Sequence, residues 1–464
     1  MSGTAQRRLA AFVARASRMS EDARNVARQS LVDSLAVVFA GRRESVHQHV
    51  AAYLAGSGRL SGGAPSWLQG TLLTAETAAL ANATAVHALD YDDVTSAWRG
   101  HPGTVIWPAL FAVAEPHLAY GEFLDSFVVG FEVGAQIGSE IIAHHYDAGW
   151  HATATIGAIA ATAACARLVG LDEERTFHAL GLAAAQSCGL QGNFGSMAKP
   201  LQAGFAASAA VRAVLLARHG VKAGDVLEGR NGFSRLYGAA ETLRLSLPAA
   251  DTDEFAIQCA GIEVKQFPNC YAAHRAVEAA LSLQNQLKDM SSAGAVIDVR
   301  SIRAVQIEGT RGAHKALLTR LPSSVAESRF SAEYAVACAL VDGKLPFSSF
   351  TPEHLERPQI RELLVATRVR ESDVLGSRRA ARVSIELVDG QTLQSTVTSL
   401  PGNYGDPTFM RRLEGKVADC MSEAGLERFA RPLWDAVIAA PSDQPMALQS
   451  SLLPTIWAEG AGRA

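Results

Sequence analysis

The spacing of apolar positions predicts helices over the first half of the chain. Around residues 26–39, apolar and small side chains recur every three to four positions and form one helical face. Three later segments, 153–170, 176–185 and 204–219, are built largely from Ala, Gly and Ser, whose small side chains let helix axes approach closely. We therefore predict a large all-helical domain with these segments at its crowded centre.

The pattern changes from helical to alternating after residue 265. Residues 299–308 alternate apolar and polar side chains, which predicts a half-buried strand. Residues 381–388 and 391–397 alternate on either side of Asp389-Gly390, which predicts a hairpin. The predicted fold class is mainly α, in three parts: a helical domain over 1–264, a smaller α+β lid domain over 265–400, and a C-terminal segment, 401–464, that returns to the helical domain.

Composition narrows the possible partners and the compartment. A chain of 464 residues is too long for one ordinary core. The net charge is only −4 and no long basic run occurs, so nucleic acid and anionic membranes are not expected partners. Residues 152–171 are nearly uncharged, but Ala, Thr and Gly dominate them and Arg167 interrupts them, which favours a core helix over a membrane span. Six cysteines without a CxxC pair, and no signal-type apolar run before Leu31, predict a cytoplasmic protein.

The segment 87–104 carries the strongest candidate chemistry. It contains Asp90, Asp92 and Asp93 together with His87 and His101, in a stretch with little apolar sequence to bury. Carboxylates and a titratable imidazole are the groups from which proton transfer or metal binding is built. One alternative is a solvated helix end followed by a Pro-Gly turn. Another is a metal site formed by His87, Asp90, Asp93 and His101.

Two further polar positions border the small-residue helices. His151 lies just before the helix predicted at 153–170, where the helix dipole favours an anion, although a lone histidine is usually a satisfied surface residue. Lys199 precedes Pro200 in a segment, 195–201, that we predict as a loop with constrained, non-helical backbone.

The predicted junction between the domains holds a third polar group. Lys265, Tyr271, His274 and Arg275 fall within eleven residues there, and clefts between domains are common ligand sites. A turn cluster at 402–407 is expected to be only a connection, with closure over a ligand as the alternative. The sequence has no glycine-rich dinucleotide fingerprint after a strand, no Gly-Lys-Ser/Thr phosphate loop and no GxSxG nucleophile motif.

Taken together, these segments resemble the MmgE/PrpD family, which includes 2-methylcitrate dehydratase, cis-aconitate decarboxylase and iminodisuccinate epimerase. The motifs that carry the resemblance occur in the family's order and span most of the chain. They are His87-x-x-Asp90-Tyr91-Asp92-Asp93 with His101-Pro102, Gly149-Trp150-His151, Lys199-Pro200, Leu227-Glu228-Gly229-x-x-Gly232-Phe233, and Lys265-x-Phe267-Pro268 with His274-Arg275.

The resemblance implies a homodimer with no cofactor. A metal is not expected, although the metal site above stays an alternative. It also implies a site lined by Asp90, His101, His151, Lys199 and Lys265. One departure bears on the substrate, because the decarboxylase has a threonine where this chain has Val94. Segments around His151 and His274 are more like the bacterial branch that holds the epimerase.

Each candidate residue receives a predicted role. His101 is the expected proton carrier, and Asp90 is expected to orient it or tune its pKa. The set expected to bind substrate carboxylates consists of Lys199, Lys265, Arg275 and Asp93, with structural support by Asp92 and Asp93 as an alternative. The remaining catalytic candidates are His151, as an added donor to the same anion, and Tyr271 and His274, as further proton carriers.

These roles predict a cofactor-independent enzyme that transfers a proton at a carbon next to a carboxylate of a small di- or tricarboxylate. The favoured class is a lyase, either a dehydratase or a decarboxylase. An epimerase is the first alternative. A homologue that binds polycarboxylates without catalysis is the second.

Overall fold

Helices dominate the architecture. The computed structural model describes residues 3–16, 18–56, 62–115, 117–248, 254–290, 299–318, 320–373, 375, 379–446 and 452–461. In chain order the α-helices are α1 (Ala5–Arg15), α2 (Glu21–Ala40), α3 (Ser45–Gly56), α4 (Ala75–His87), α5 (Pro102–Val113), α6 (Tyr120–Asp147), α7 (Ala152–Leu168), α8 (Glu173–Ala184), α9 (Ala198–Arg218), α10 (Phe233–Gly238), α11 (Ala256–Cys259), α12 (His274–Met290), α13 (Val325–Ser328), α14 (Ala332–Asp342), α15 (Pro352–Leu355), α16 (Pro358–Ala366), α17 (Phe409–Glu423), α18 (Ala430–Trp434) and α19 (Leu453–Ala461). The strands are β1 (Ala64–Pro65), β2 (Leu72–Leu73), β3 (Ile302–Gly309), β4 (Thr367–Glu371), β5 (Ala381–Leu387) and β6 (Thr392–Val397).

The chain divides into two compact units. Unit 1 comprises residues 1–192, 198–264 and 410–464, and unit 2 comprises residues 193–197 and 265–409. Apart from the short β1–β2 ribbon, the described part of unit 1 is helical, whereas unit 2 combines helices with a sheet. The predicted class, mainly α with a smaller α+β part, is therefore confirmed. The predicted domain boundaries stay a prediction, because compactness does not show that a segment folds alone.

Close helix packing in unit 1 depends on small side chains. Helix α7 is buried over almost its whole length, and Ala, Gly and Thr make up most of it. Gly130 of α6 lies against it, and a Cβ at this position would meet Ala160 O and Ala164 Cβ, both at 2.7 Å. Any side chain at residue 130 would force α6 and α7 apart. The sequence-based expectation of closely approaching helices is confirmed here.

The sheet of unit 2 has the order β4-β3-β5-β6. Strand β4 runs parallel to β3, and β5 is antiparallel to both β3 and β6. The predicted hairpin is confirmed, since β5 and β6 pair across Asp389-Gly390 with Gly390 at φ 88°. The predicted first strand begins three residues later than expected, at Ile302, because residues 299–301 form a 3₁₀ turn.

Two helices of unit 1, α6 and α9, are long and apolar enough to cross a membrane by length and composition alone. In each of them 72% of the most apolar window is buried inside the protein. Burial of this kind is typical of core helices, which pass the same test.

Candidate active site

The acidic segment lies in a buried turn that follows α4. Asp90, Asp92 and Asp93 are at most 3% exposed, so the alternative of a solvated helix end is wrong. Asp90 adopts φ 51°, a left-handed conformation that aspartate tolerates better than most residues. Its N–H donates to the carbonyl of His87, 3.2 Å away. We call residues 90–93 the acidic turn.

Asp92 holds two imidazoles at once. His87 Nδ1 is hydrogen-bonded to both carboxylate oxygens, at 2.9 and 3.1 Å, and His101 Nδ1 forms an ion-pair contact with Oδ2 at 2.9 Å. Burial raises the pKa of Asp92, but the neighbouring charges of His101 and His87 outweigh it and hold that pKa well below its usual range. The sequence predicts Asp90 as the residue that orients His101 or tunes its pKa, and Asp90 Oδ1 lies 3.7 Å from His101 Nε2, an ion-pair contact longer than that of Asp92. The predicted role of Asp90 stays a prediction, and Asp92, which the sequence predicts only as structural support, is the nearer carboxylate.

Asp90 is instead paired with Lys199. The ammonium donates to Asp90 Oδ1 at 2.6 Å, and each side chain is only 4% exposed. The predicted non-helical backbone at Lys199 is wrong, because α9 begins at Ala198 and includes it. Pro200 is compatible with this start, since the first N–H groups of a helix have no partner within the helix.

Two helix N-termini meet the imidazole cluster. His101 is the N-cap residue of α5 and His151 is the N-cap residue of α7, as expected for His151 from the sequence. The His87 ring lies 4.5 Å from the ring of His101 and 5.7 Å from that of His151, measured between centroids. His151 is 3% exposed, so a surface role for this histidine is wrong. Helix N-termini favour negative charge, and the cluster is therefore suited to a carboxylate.

Burial favours the neutral form of His87 and His151. It lowers the pKa of His151 well below its usual value, and the proximity of His87 and the positive charge of Lys199 lower it further. Burial also lowers the pKa of His87, against the opposing effect of Asp92. A neutral His87 that donates its Nδ1–H to Asp92 leaves its Nε2 as an acceptor. The sequence predicts His87 only as a metal ligand. Its pairing with Asp92, five residues further along the chain, is a finding of the structure, and that short spacing is the one sequence signal for it.

A metal ion is a chemical alternative for this cluster. Ligand atoms of His87, Asp90, Asp92 and His101 lie within 4.8 Å of one another. The set differs from the one considered on the sequence, since Asp92 takes the place of Asp93. However, Lys199 already brings a positive charge to Asp90, and a divalent cation would have to displace it. The absence of a metal and of a cofactor from the functional protein stays a prediction.

Asp93 faces away from the imidazoles into the helical core. Its Oδ2 accepts from Ser30 Oγ at 2.6 Å, and its Oδ1 accepts from the N–H of Gly103 at 2.9 Å. Burial, with the negative charge of Asp33, raises the pKa of Asp93 to about 8. These contacts tie the acidic turn to α2 and to the first turn of α5. The predicted substrate-binding role of Asp93 stays a prediction, and we propose a supporting role in its place.

We expect Asp93→Asn to change how stability depends on pH. The pKa of Asp93 is raised from 3.8 to about 8 on folding, so its stabilising contribution is complete below pH 4 and is lost as pH rises towards 8. An asparagine does not titrate; its oxygen can accept from the Gly103 N–H, and its NH2 can donate to Ser30 Oγ, which reverses the direction of that hydrogen bond. Between pH 5 and 8 the native protein should lose about 2–4 kcal/mol more unfolding free energy than the variant. Urea unfolding at the two pH values measures this, with Asp389→Asn on an exposed turn as control. Equal pH dependence in the native protein and the variant would contradict the expectation.

The remaining candidates belong to unit 2. Arg275 lies over the Tyr271 ring, 5.5 Å from its centroid, and the rings of His274 and Tyr271 are 5.1 Å apart. The Tyr271 hydroxyl donates to Asn403 Oδ1 at 3.3 Å, which links it to the turn cluster at 402–407. The structure thus brings three of the four predicted residues together, and Lys265 is fully buried. Their predicted roles in catalysis and binding stay predictions.

Sequence comparison agrees with the motifs of both units. The MmgE/PrpD N-terminal domain matches residues 7–246, and the MmgE/PrpD C-terminal domain matches residues 267–431. The chain belongs to the MmgE/PrpD family. The resemblance inferred from the motifs is therefore confirmed.

Relatives of this MmgE/PrpD chain include proteins named cis-aconitate decarboxylase. The one from Aspergillus terreus is 29% identical over 341 residues, which cover 69% of each chain. The one from Mus musculus is 26% identical over 405 residues, covering 84% of this chain and 80% of the relative. The one from Homo sapiens is 27% identical over 352 residues, which cover 73% of this chain and 71% of the relative.

Proposed function

We propose that the chain is a cofactor-independent lyase that transfers a proton at a carbon next to a carboxylate of a small di- or tricarboxylate. The observation that carries the proposal is the arrangement around Asp92. One buried carboxylate holds His101, which caps a helix, while the ammonium of Lys199 lies on the neighbouring Asp90. This arrangement combines a proton carrier with groups that attract an anion.

The proposed role of each residue follows from these contacts. A carbanion next to a carboxylate is high in energy, so its negative charge must be stabilised by a fixed positive charge and by helix N-termini nearby. Lys199 and the N-terminus of α7 at His151 supply these features. His101 carries the proton, and Asp92 stabilises the imidazolium while it exists.

In a decarboxylation, the bond between carbon and the departing carboxylate breaks, and CO2 leaves. The electron pair remains on the substrate, delocalised towards the adjacent carboxylate, until His101 donates a proton to carbon. His101 then recovers a proton from solvent. In a dehydration, His101 would instead remove the proton from carbon while an acid protonates the leaving hydroxyl.

Decarboxylation is the reaction we favour, because relatives covering more than two thirds of the chain are named cis-aconitate decarboxylase. An epimerase is the alternative, and it is supported by the presence of Val94 where the decarboxylase has a threonine. Val94 is 8% exposed, its N–H donates to the carbonyl of Glu263, and its carbonyl accepts from the N–H of Glu263. Because valine has no hydroxyl, it cannot hydrogen-bond a carboxylate. The homodimer and the cytoplasmic location implied at the sequence level remain part of this proposal.

The test is a set of incubations in D2O, each followed by proton NMR. The substrates are cis-aconitate, 2-methylcitrate and iminodisuccinate, and His101→Ala protein is the control. We expect loss of CO2 from cis-aconitate, with one deuterium in the product. Loss of water from 2-methylcitrate would move the assignment to a dehydratase, and exchange with inversion of iminodisuccinate would move it to an epimerase. Binding of a polycarboxylate without conversion of any of them would support the non-catalytic alternative and overturn the lyase.

A further inference from the structure

A buried lysine from the C-terminal part of unit 1 contacts the acidic turn. Lys416 of α17 is 4% exposed, and its Nζ donates to the backbone carbonyl of Tyr91 at 2.6 Å. The same ammonium lies 3.9 Å from the centroid of the Tyr91 ring. Lys416 thus contacts the turn through both the backbone and the side chain of one residue. None of the roles assigned above accounts for this contact.

The charge of Lys416 is balanced inside the helical core. Asp33 of α2 is completely buried, and its Oδ1 lies 2.6 Å from Lys416 Nζ. An ammonium without such a partner would be costly to bury. The pair therefore allows a charged donor to reach a backbone carbonyl in the buried core. A charge-assisted hydrogen bond is about twice as strong as a neutral one.

The carbonyl of Tyr91 lies between the two carboxylates that organise the cluster. It belongs to the peptide group joining Tyr91 to Asp92, and Asp90 precedes it with φ 51°. Rotation of this peptide group would turn Asp92 away from His87 and His101. It would also alter the left-handed backbone at Asp90, a conformation that persists only where its surroundings enforce it.

We propose that Lys416 is a positioning residue, whose contact with the Tyr91 carbonyl fixes the acidic turn in the conformation that aims Asp92 at His101. It acts through the backbone of the turn. The kinetic part of this proposal rests on the proposed lyase function, and the structural part does not.

The test must separate positioning from stability. Lys416→Met alone leaves Asp33 buried without its cation, and such a variant can fail to fold. The variant Asp33→Asn/Lys416→Met removes both charges and keeps similar side-chain volumes. The matched control is Arg24→Met/Asp125→Asn, which neutralises another buried ion pair of α2, bonded twice at 2.7 Å to α6. Melting temperatures then identify the folded variants to be compared.

Two readouts decide the outcome in the folded variants. In protein labelled with 13C at histidine, the His101 ring resonance is assigned by its loss in His101→Ala protein. We expect this resonance to shift in Asp33→Asn/Lys416→Met and to stay in place in the control. With the substrate identified above, kcat should fall at least tenfold and KM less than threefold in the former, and neither should change in the control.

An unshifted His101 resonance in the folded Asp33→Asn/Lys416→Met variant, with kcat equal to that of the control, would overturn the positioning role. If the native protein converts none of the acids, the proposed function fails, and the His101 resonance alone decides about Lys416.

Discussion

Replacing His101 with alanine should lower kcat by about 10²–10⁴ and leave KM nearly unchanged. The imidazole is the group we assign to proton transfer, and its contact with Asp92 at 2.9 Å stabilises the charged form that appears during the reaction. Lys199 and the helix N-termini, which attract the substrate, remain in place in this variant. The variant should therefore still bind the substrate, and the decrease in kcat should come from the proton-transfer step.

The measurement is steady-state kinetics on the acid that the native protein converts, together with deuterium incorporation in D2O. His144→Ala is the matched control, because His144 lies on the exposed face of α6 near its end. The control should keep kcat within about twofold, as exposed positions away from a site usually do. A His101→Ala protein that turns over substrate at the native rate would remove His101 from the mechanism.

Asp92→Asn should have an effect of similar size, on the order of 10³ in kcat. An amide offers one acceptor and one donor, so it cannot serve two imidazole N–H groups as the carboxylate does. One of the two contacts, with His87 Nδ1 or with His101 Nδ1, must then be broken or reversed. The imidazolium of His101 also loses its counter-charge, which disfavours the protonated state.

The kcat profile against pH distinguishes this effect from simple misfolding. Because the protonated imidazole is less favoured in Asp92→Asn, its titration limb should move to lower pH than in the native protein. Asp172→Asn at the exposed N-cap of α8 is the control, since asparagine caps helices as well as aspartate does. An unchanged profile and rate in Asp92→Asn would mean that Asp92 has no part in holding His101.

Local patterns in the sequence predict much of this molecule. The periodicity of small residues locates α7, and the position of His151 at its N-terminus follows directly. The hairpin of β5 and β6 follows from alternation around Asp389-Gly390. The sequence does not predict strand β4, because most of its residues are exposed or half-buried and it lacks a clear apolar alternation. The loop predicted at Lys199 is wrong because proline, which often marks loops, is also common in the first turn of a helix.

The pairing of side chains within the site could not be predicted in this way. His101 Nδ1 lies 2.9 Å from Asp92 Oδ2, and His101 Nε2 lies 3.7 Å from Asp90 Oδ1. The backbone at Asp90 is left-handed, with φ 51°, and residue spacing alone does not predict such a turn. Contacts between residues hundreds of positions apart, such as Lys416 with Asp33 and Tyr91, leave no local pattern in a single sequence.

The dependence of the acidic turn on Lys416 has a consequence for synthesis of the chain. Residues 265–409 are inserted between the parts of unit 1, and α17 begins at Phe409 whereas α2, which carries Asp33, ends at Ala40. Helix α17 therefore leaves the ribosome about 370 residues after α2, which at ordinary translation rates is roughly 20–75 s. During that interval a nascent unit 1 has the Asp33 carboxylate without its ammonium, and the Tyr91 carbonyl without its donor. The imidazole cluster is therefore expected to reach its final geometry only late in translation. Ribosome-bound chains that end before residue 416 should be cleaved by proteases around residues 90–93 more easily than chains that include α17.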